Sequence, residues 1–229
     1  MIELKSVRKK YGRKKVLQDV SFTADKGNIT CLIGINGVGK STVLKAIMGL
    51  TPIDGGSISI DGMPVGPHIY EHIAYVPDNI TMPPNMTVAG SLQFMKDYYA
   101  SWNEARAEEM LKFFKLKHAD RVGELSKGNT AKLNLVHGLS LDVDYVLMDE
   151  PFSGIDVFSR EQIASVFTSK LVEDRGVIIT THEINDIEHL IDEVVLLDNG
   201  FVKSQFNCEE MRMEQGKSVM DVMREVYYG

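Results

Sequence analysis

The chain of 229 residues is 44% hydrophobic and 25% charged, with 8% aromatics and two cysteines; this globular composition excludes disorder, collagen-like repeats and a disulfide scaffold. A formal net charge of −7 argues against nucleic acid as a partner. No uncharged stretch approaches the ~20 apolar residues that cross a bilayer, and the leading MIELKSVRKK lacks a signal-peptide core, so the expectation is a chain that neither spans a membrane nor is secreted.

In chain order, Arg8, Lys9, Lys10, Arg13, Lys14 and Lys15 come first, six bases in eight positions that read as a solvated hairpin surface or as an attractor of phosphate. Apolar runs over 29–33, 58–60 and 73–76, punctuated by turns such as Asp54-Gly55-Gly56, predict strands around one helix. That helix is expected from near Gly37 to about Leu50, with Thr51-Pro52 as its stop. Helical spacing then returns over 88–100 and 103–116, where Met110, Leu111, Phe113 and Phe114 form one broad apolar face, and predicts an inserted helical lobe. Short β-branched runs over 145–148, 177–180 and 194–197 have the pattern of strands buried on both faces of a parallel sheet. The reading is one α/β domain over 1–229: a core of 1–76 and 140–205, a helical subdomain over 77–139, and a short tail, 206–229, with an amphipathic turn or two near its end. Cys31 and Cys208, without a CxxC or a zinc-spaced His, are read as inert reduced thiols of a cytosolic protein.

The strongest chemical signal is Gly34-Ile35-Asn36-Gly37-Val38-Gly39-Lys40-Ser41-Thr42, which fits GxxxxGK[ST] between a strand and a helix. Such glycines let backbone N–H groups wrap a triphosphate, Lys40 reaches its β and γ phosphates, and the Ser41 hydroxyl is offered to Mg²⁺. The run over 145–148 delivers Asp149 and Glu150 to the carboxyl end of a strand, the edge where open α/β sheets bind ligands. Neighbouring carboxylates on a strand point to opposite sides, so Asp149 can serve Mg²⁺ while Glu150 polarises the attacking water.

With these motifs in order, the chain resembles the nucleotide-binding subunits of ATP-binding cassette (ABC) transporters over essentially its full length. Leu125-Ser126-Lys127-Gly128-Asn129 stands where the LSGGQ signature belongs, Ser153-Gly154-Ile155-Asp156 looks like the D-loop, and Thr180-Thr181-His182-Glu183 looks like the switch-histidine segment. Tyr11 lies where family members stack an aromatic on adenine. Two departures stand out: Asp78 replaces the Q-loop glutamine after Tyr75-Val76-Pro77 and is read as a further Mg²⁺ oxygen, and Lys127 and Asn129 replace signature residues. Both are similar to Gram-positive ABC-2-type exporters of drugs and antimicrobial peptides.

The resemblance implies a P-loop NTPase cassette with a mainly parallel core sheet, an antiparallel β subdomain and an inserted helical subdomain. It also implies an ATP sandwich between two cassettes, a homodimer or a heterodimer, in which Ser126, Gly128 and Asn129 of one chain close over ATP held by Asn36, Gly37, Val38, Gly39, Lys40, Ser41 and Thr42 of the other. His182 contacts the γ phosphate in that scheme, and Asp156 links the two sites. A separate membrane-spanning permease supplies the route, which puts the chain on the cytoplasmic face of the cell membrane. Met82, Met86, Phe94 and Met95 either present an adaptable surface to that permease or form the core of the lobe. The alternative is a soluble cassette protein acting as an ATP-gated clamp; a small P-loop kinase is disfavoured by the signature and His182.

Overall fold

The chain opens with a hairpin of β1 (Ile2–Tyr11) and β2 (Lys14–Ala24), which turns through Gly12. In chain order there follow β3 (Ile29–Ile33), α1 (Lys40–Ile47), β4 (Gly55–Ile60), β5 (Met63–Pro64) and β6 (Ile73–Val76), and then the helices α2 (Val88–Tyr98), α3 (Glu104–Phe114) and α4 (Lys127–Leu139). The last third alternates β7 (Tyr145–Asp149), α5 (Val157–Phe167), β8 (Gly176–Thr181), β9 (Glu193–Asp198), β10 (Phe201–Asn207), α6 (Cys208–Gln215) and α7 (Val219–Tyr228). This computed structural model describes residues 1–228 apart from Lys170, Glu173, Glu183, Asn185 and Asp186, so Glu183 of the proposed switch segment lies outside the described residues.

Among the described residues the strands form one sheet in the order β5-β4-β1-β2-β10-β9-β3-β8-β7-β6. The half from β9 to β6 is parallel, whereas β1, β2, β4 and β5 pair antiparallel; β10 pairs antiparallel with β9 and, with Phe201 opposite Asp19, parallel with β2, which joins the two regions. Every residue of β7 and β8 is buried, as expected of strands covered on both faces. Alternate side chains feed two cores. Cys31, Ile33, Val146, Met148, Val177 and Ile179 face the helical lobe and α5, whereas Leu32, Leu147 and Ile178 join α1 and the hairpin.

Three expectations need correction. The first helix begins at Lys40, not Gly37, because Gly37 and Gly39 hold φ of 81° and 118°, left-handed values that no helical residue adopts. Phe113 is 48% exposed while Met110, Leu111 and Phe114 are buried, so the apolar stripe of α3 is narrower than its composition suggested. The tail contains two helices: Asn207 caps α6 by accepting from the Glu209 and Glu210 amides, and Val219 and Val222 of α7 are buried against the core. The basic run is also divided, since Arg8, Lys10, Arg13, Lys14 and Lys15 are exposed but Lys9 is buried.

Candidate functional site: a phosphate cradle and a paired carboxylate edge

The glycine-rich segment leaves the carboxyl end of β3 and turns into α1. A side chain at Gly34 is excluded, because its Cβ would lie 2.5 Å from the Leu197 carbonyl oxygen of β9. The cap residue Gly39 has no side chain to offer the helix and the first turn of α1 has no acidic residue, so its free N–H groups and the positive dipole end are open to an anion. Lys40 folds back over this loop and is only 6% exposed; its Nζ donates to the Gly34 carbonyl at 2.8 Å and pairs with Oε1 of Glu150 at 3.2 Å. Asn36 and Gly37 are exposed at the mouth of the loop, Val38 is buried beneath it, and Ser41 and Thr42 are half-buried in the first turn.

Parallel pairing of β7 with β8 sets the next layer, since it places Asp149 opposite Thr180. The carboxylate of Asp149 is buried and takes three hydroxyl donors: Ser41 Oγ at 3.0 Å, Thr180 Oγ1 at 2.6 Å and Tyr75 OH at 3.2 Å. Burial, and then the charge of Asp149, push the Tyr75 phenol upward, which keeps it a donor. One residue on, Glu150 sits at φ 48°, an uncommon value outside glycine, and its amide is held by Thr180 Oγ1 at 2.9 Å. Its carboxylate lies between Lys40 and His182, whose Nδ1 is 2.9 Å from Oε2. From sequence, Thr180 and Tyr75 carry no role beyond their places in the switch segment and ahead of Asp78; only the register of β7 against β8 reveals the double contact of Thr180.

A cavity of about 480 Å³ opens beside these groups, and Asn36, Asp78, Lys127, Glu150, Gly154 and His182 line it. Asp78 reaches its wall, yet its two carboxylate oxygens are bonded to the backbone and side-chain nitrogens of Asn79. Ser126 caps α4 by accepting from the Asn129 amide at 3.3 Å, and Asp156 caps α5 by accepting from the amide and hydroxyl of Ser159. Those two donors hold the Asp156 carboxyl below its usual range. The caps meet at Gly128, where a Cβ would lie 2.4 Å from Ser159 Oγ. Tyr11 stands apart on the hairpin, 48% exposed, with its hydroxyl 3.2 Å from Thr51 Oγ1. Cys31 is fully buried and its thiol is pushed up by burial, which leaves it unreactive.

Residues 17–153 match the family described as ABC transporter, and the chain is 35% identical over 226 residues to the Nod factor export ATP-binding protein I of Burkholderia lata, covering 91% of this chain and 74% of that protein. The chain belongs to the ABC transporter family. It is also 33% identical to the linearmycin resistance ATP-binding protein LnrL of Bacillus subtilis, over 87% of this chain and 67% of that one. A solved ATP-binding subunit of an ABC transporter superposes with a TM-score of 0.87 at 29% identity, covering 99% of each chain. This ABC transporter chain is thus an ATP-binding and ATP-hydrolysing subunit, and its α/β P-loop fold is that of the cassette.

Proposed function

We propose that the chain energises an exporter, working as one of two cassettes that share ATP across their interface and drive a membrane-spanning permease from its cytoplasmic face. The observation that carries the reading is Glu150, gripped at 3.2 Å by Lys40 and at 2.9 Å by His182 at the edge of the glycine cradle. The relatives named for Nod factor export and linearmycin resistance support the direction of transport.

Ser41 and Asp149 fit Mg²⁺: both present hard oxygens, 3.0 Å apart, as suits an ion held by few protein groups and otherwise by phosphate and water. When bound, Mg²⁺ neutralises charge on the phosphates. The N–H groups of 36–42 and the Lys40 ammonium bind and orient the phosphate tail. Glu150 orients the attacking water and accepts its proton, and His182 holds Glu150 and the γ phosphate in line. Tyr11 stacks on the adenine, while Ser126 and the amino end of α4 close over ATP of the opposing chain.

A groove of about 590 Å³ between lobe and core, lined by Tyr70, Met82, Met86, Phe94, Met95 and Tyr99, suits the permease contact. Met95 is buried in the lobe while Phe94 stays 39% exposed and stacks on Tyr98, so surface and core roles are divided among these residues. The test is the Glu150→Gln variant, which should bind Mg-ATP, fail to turn it over and accumulate as a dimer on a sizing column. A variant that elutes as a monomer at saturating ATP contradicts the shared-site mechanism.

A further inference from the structure

Lys9 is the one base of the amino-terminal run that is buried, at 8% exposure. Its ammonium crosses from β1 to the segment after α1, donates to the Pro52 carbonyl at 2.5 Å, and stands 5.1 Å from the centroid of the Tyr11 ring. Two residues of spacing along β1 bring Lys9 and Tyr11 together, and the Tyr11 hydroxyl is tethered 3.2 Å from Thr51 Oγ1, the residue before Pro52. The ring is therefore held at two points, by a hydroxyl tether at its tip and a cation over one face. Its remaining surface is open, since Tyr11 is 48% exposed.

A solvated lysine makes no such set of contacts. Holding a long side chain in one rotamer against a carbonyl and a ring costs conformational entropy, which the desolvated cation–ring and hydrogen-bond contacts offset. The consequence for a ligand is pre-organisation: a ring already fixed in plane and direction loses no freedom when a flat heterocycle stacks on it. We infer that Lys9 is a positioning residue for the purine of the nucleotide, fixing the Tyr11 ring so that the base stacks on the uncovered face. This rests on the assignment of Tyr11 as the stacking aromatic.

The experiment uses two probes, Mg-ATP and Mg-tripolyphosphate, which share the phosphate tail and differ by the nucleoside. Calorimetric titration of the full chain should show Lys9→Met weakening ATP by about threefold to tenfold, the scale of a desolvated cation–π contact, with tripolyphosphate unchanged. Lys9→Arg, which keeps both the charge and the donor, should stay within about twofold of the wild type. In a Tyr11→Ala background, Lys9→Met should change nothing further, because the group it positions is gone. Should Lys9→Met not fold, Lys9→Gln removes the charge while keeping a donor and carries the same expectation. An equal loss for tripolyphosphate would make Lys9 a general attractor of phosphate, and an effect that persists without Tyr11 would make it a structural strut; either overturns the inference. Unchanged ATP affinity in Lys9→Met also overturns it while leaving the stacking assignment intact. If Tyr11→Ala itself binds both probes like the wild type, the stacking assignment falls and the role of Lys9 with it.

Discussion

The side-chain amide of Asn134 donates to the Pro77 carbonyl at 3.0 Å, tying α4 to the strand end that carries Asp78. Both residues line the nucleotide-side cavity and the apolar groove, so this bond is part of the wall between them. One turn further along α4, Gly138 lies against Val76, with its Cβ position 2.4 Å from Val76 Cγ2, so the helix that begins at Ser126 is fastened to β6 at two successive turns. Asn134→Leu keeps the branched shape and the number of heavy atoms but leaves the carbonyl without its donor. Urea denaturation should show a loss of about 1–3 kcal/mol, the penalty of an unsatisfied buried group, with ATP affinity within about twofold of the wild type. A parallel collapse of ATP binding would place Asn134 inside the nucleotide site instead.

Lys40 is buried with two partners, the Gly34 carbonyl and Glu150. Lys40→Ala removes the ammonium that pairs with Glu150 at the loop and, with it, the charge-assisted donor proposed for the phosphates. ATP affinity in calorimetry should fall by about tenfold to a hundredfold, as expected for loss of a desolvated, charge-assisted contact. An unchanged affinity would remove the phosphate-binding role assigned to that ammonium.

Gly128 is held to glycine by the neighbouring helix. Its Cβ would meet Ser159 Oγ at 2.4 Å, and that hydroxyl is itself fixed to Asp156 at 2.7 Å. Gly128→Ala should therefore force α4 away from α5 and cost about 1–3 kcal/mol of stability. Adding Ser159→Ala should recover part of that loss, because the closest atom is removed while Ser159 Cβ remains 3.0 Å away. A double variant no more stable than Gly128→Ala alone would mean that the strain lies elsewhere.

For Asp78, the carboxylate oxygens face Asn79 and the cavity shared with Glu150. Asp78→Gln retains an oxygen and Asp78→Ala does not, so only the alanine variant should raise the Mg²⁺ concentration needed for half-maximal ATP hydrolysis, by about threefold or more for loss of one hard-oxygen ligand. Equal Mg²⁺ dependence in the two variants makes Asp78 a bystander.

Local signals carried the core strands further than the helix ends. The runs over 29–33 and 73–76 emerge with the expected boundaries because each is a β-branched block closed by turn residues. The start of α1 was misplaced because the glycines that invite a helix-start reading are held left-handed by the loop they form. Helix α6 escaped notice because its sequence, CEEMRMEQ, has one buried residue, Cys208, and so almost no apolar period. At the site, Lys40, Ser41, Asp149 and Glu150 were legible from spacing alone, whereas the positive φ of Glu150 and the contacts of Thr180 and Lys9 depend on strand register and on segments about thirty or more residues distant. Such contacts leave no period in the sequence.

His137 lies inside α4 at the groove and is 8% exposed. Its Nε2 is 2.9 Å from Ser91 Oγ, and because that hydroxyl already donates to the Val88 carbonyl at 2.7 Å, the imidazole must be the donor. Burial lowers its pKa to about 4, with no charged group contributing to the shift. The folded chain therefore binds fewer protons here than the unfolded chain between about pH 4 and pH 6.5, and stability rises with pH across that window. The contribution is fully present above about pH 6.5, falls as pH drops towards about 4, and amounts to as much as about 3 kcal/mol. Urea midpoints at pH 7.5 and pH 5 should thus differ more for the wild type than for His137→Gln, which has no proton to gain. Equal pH dependence in the two would show that the imidazole ionises freely in the folded chain, by admitting water to the groove.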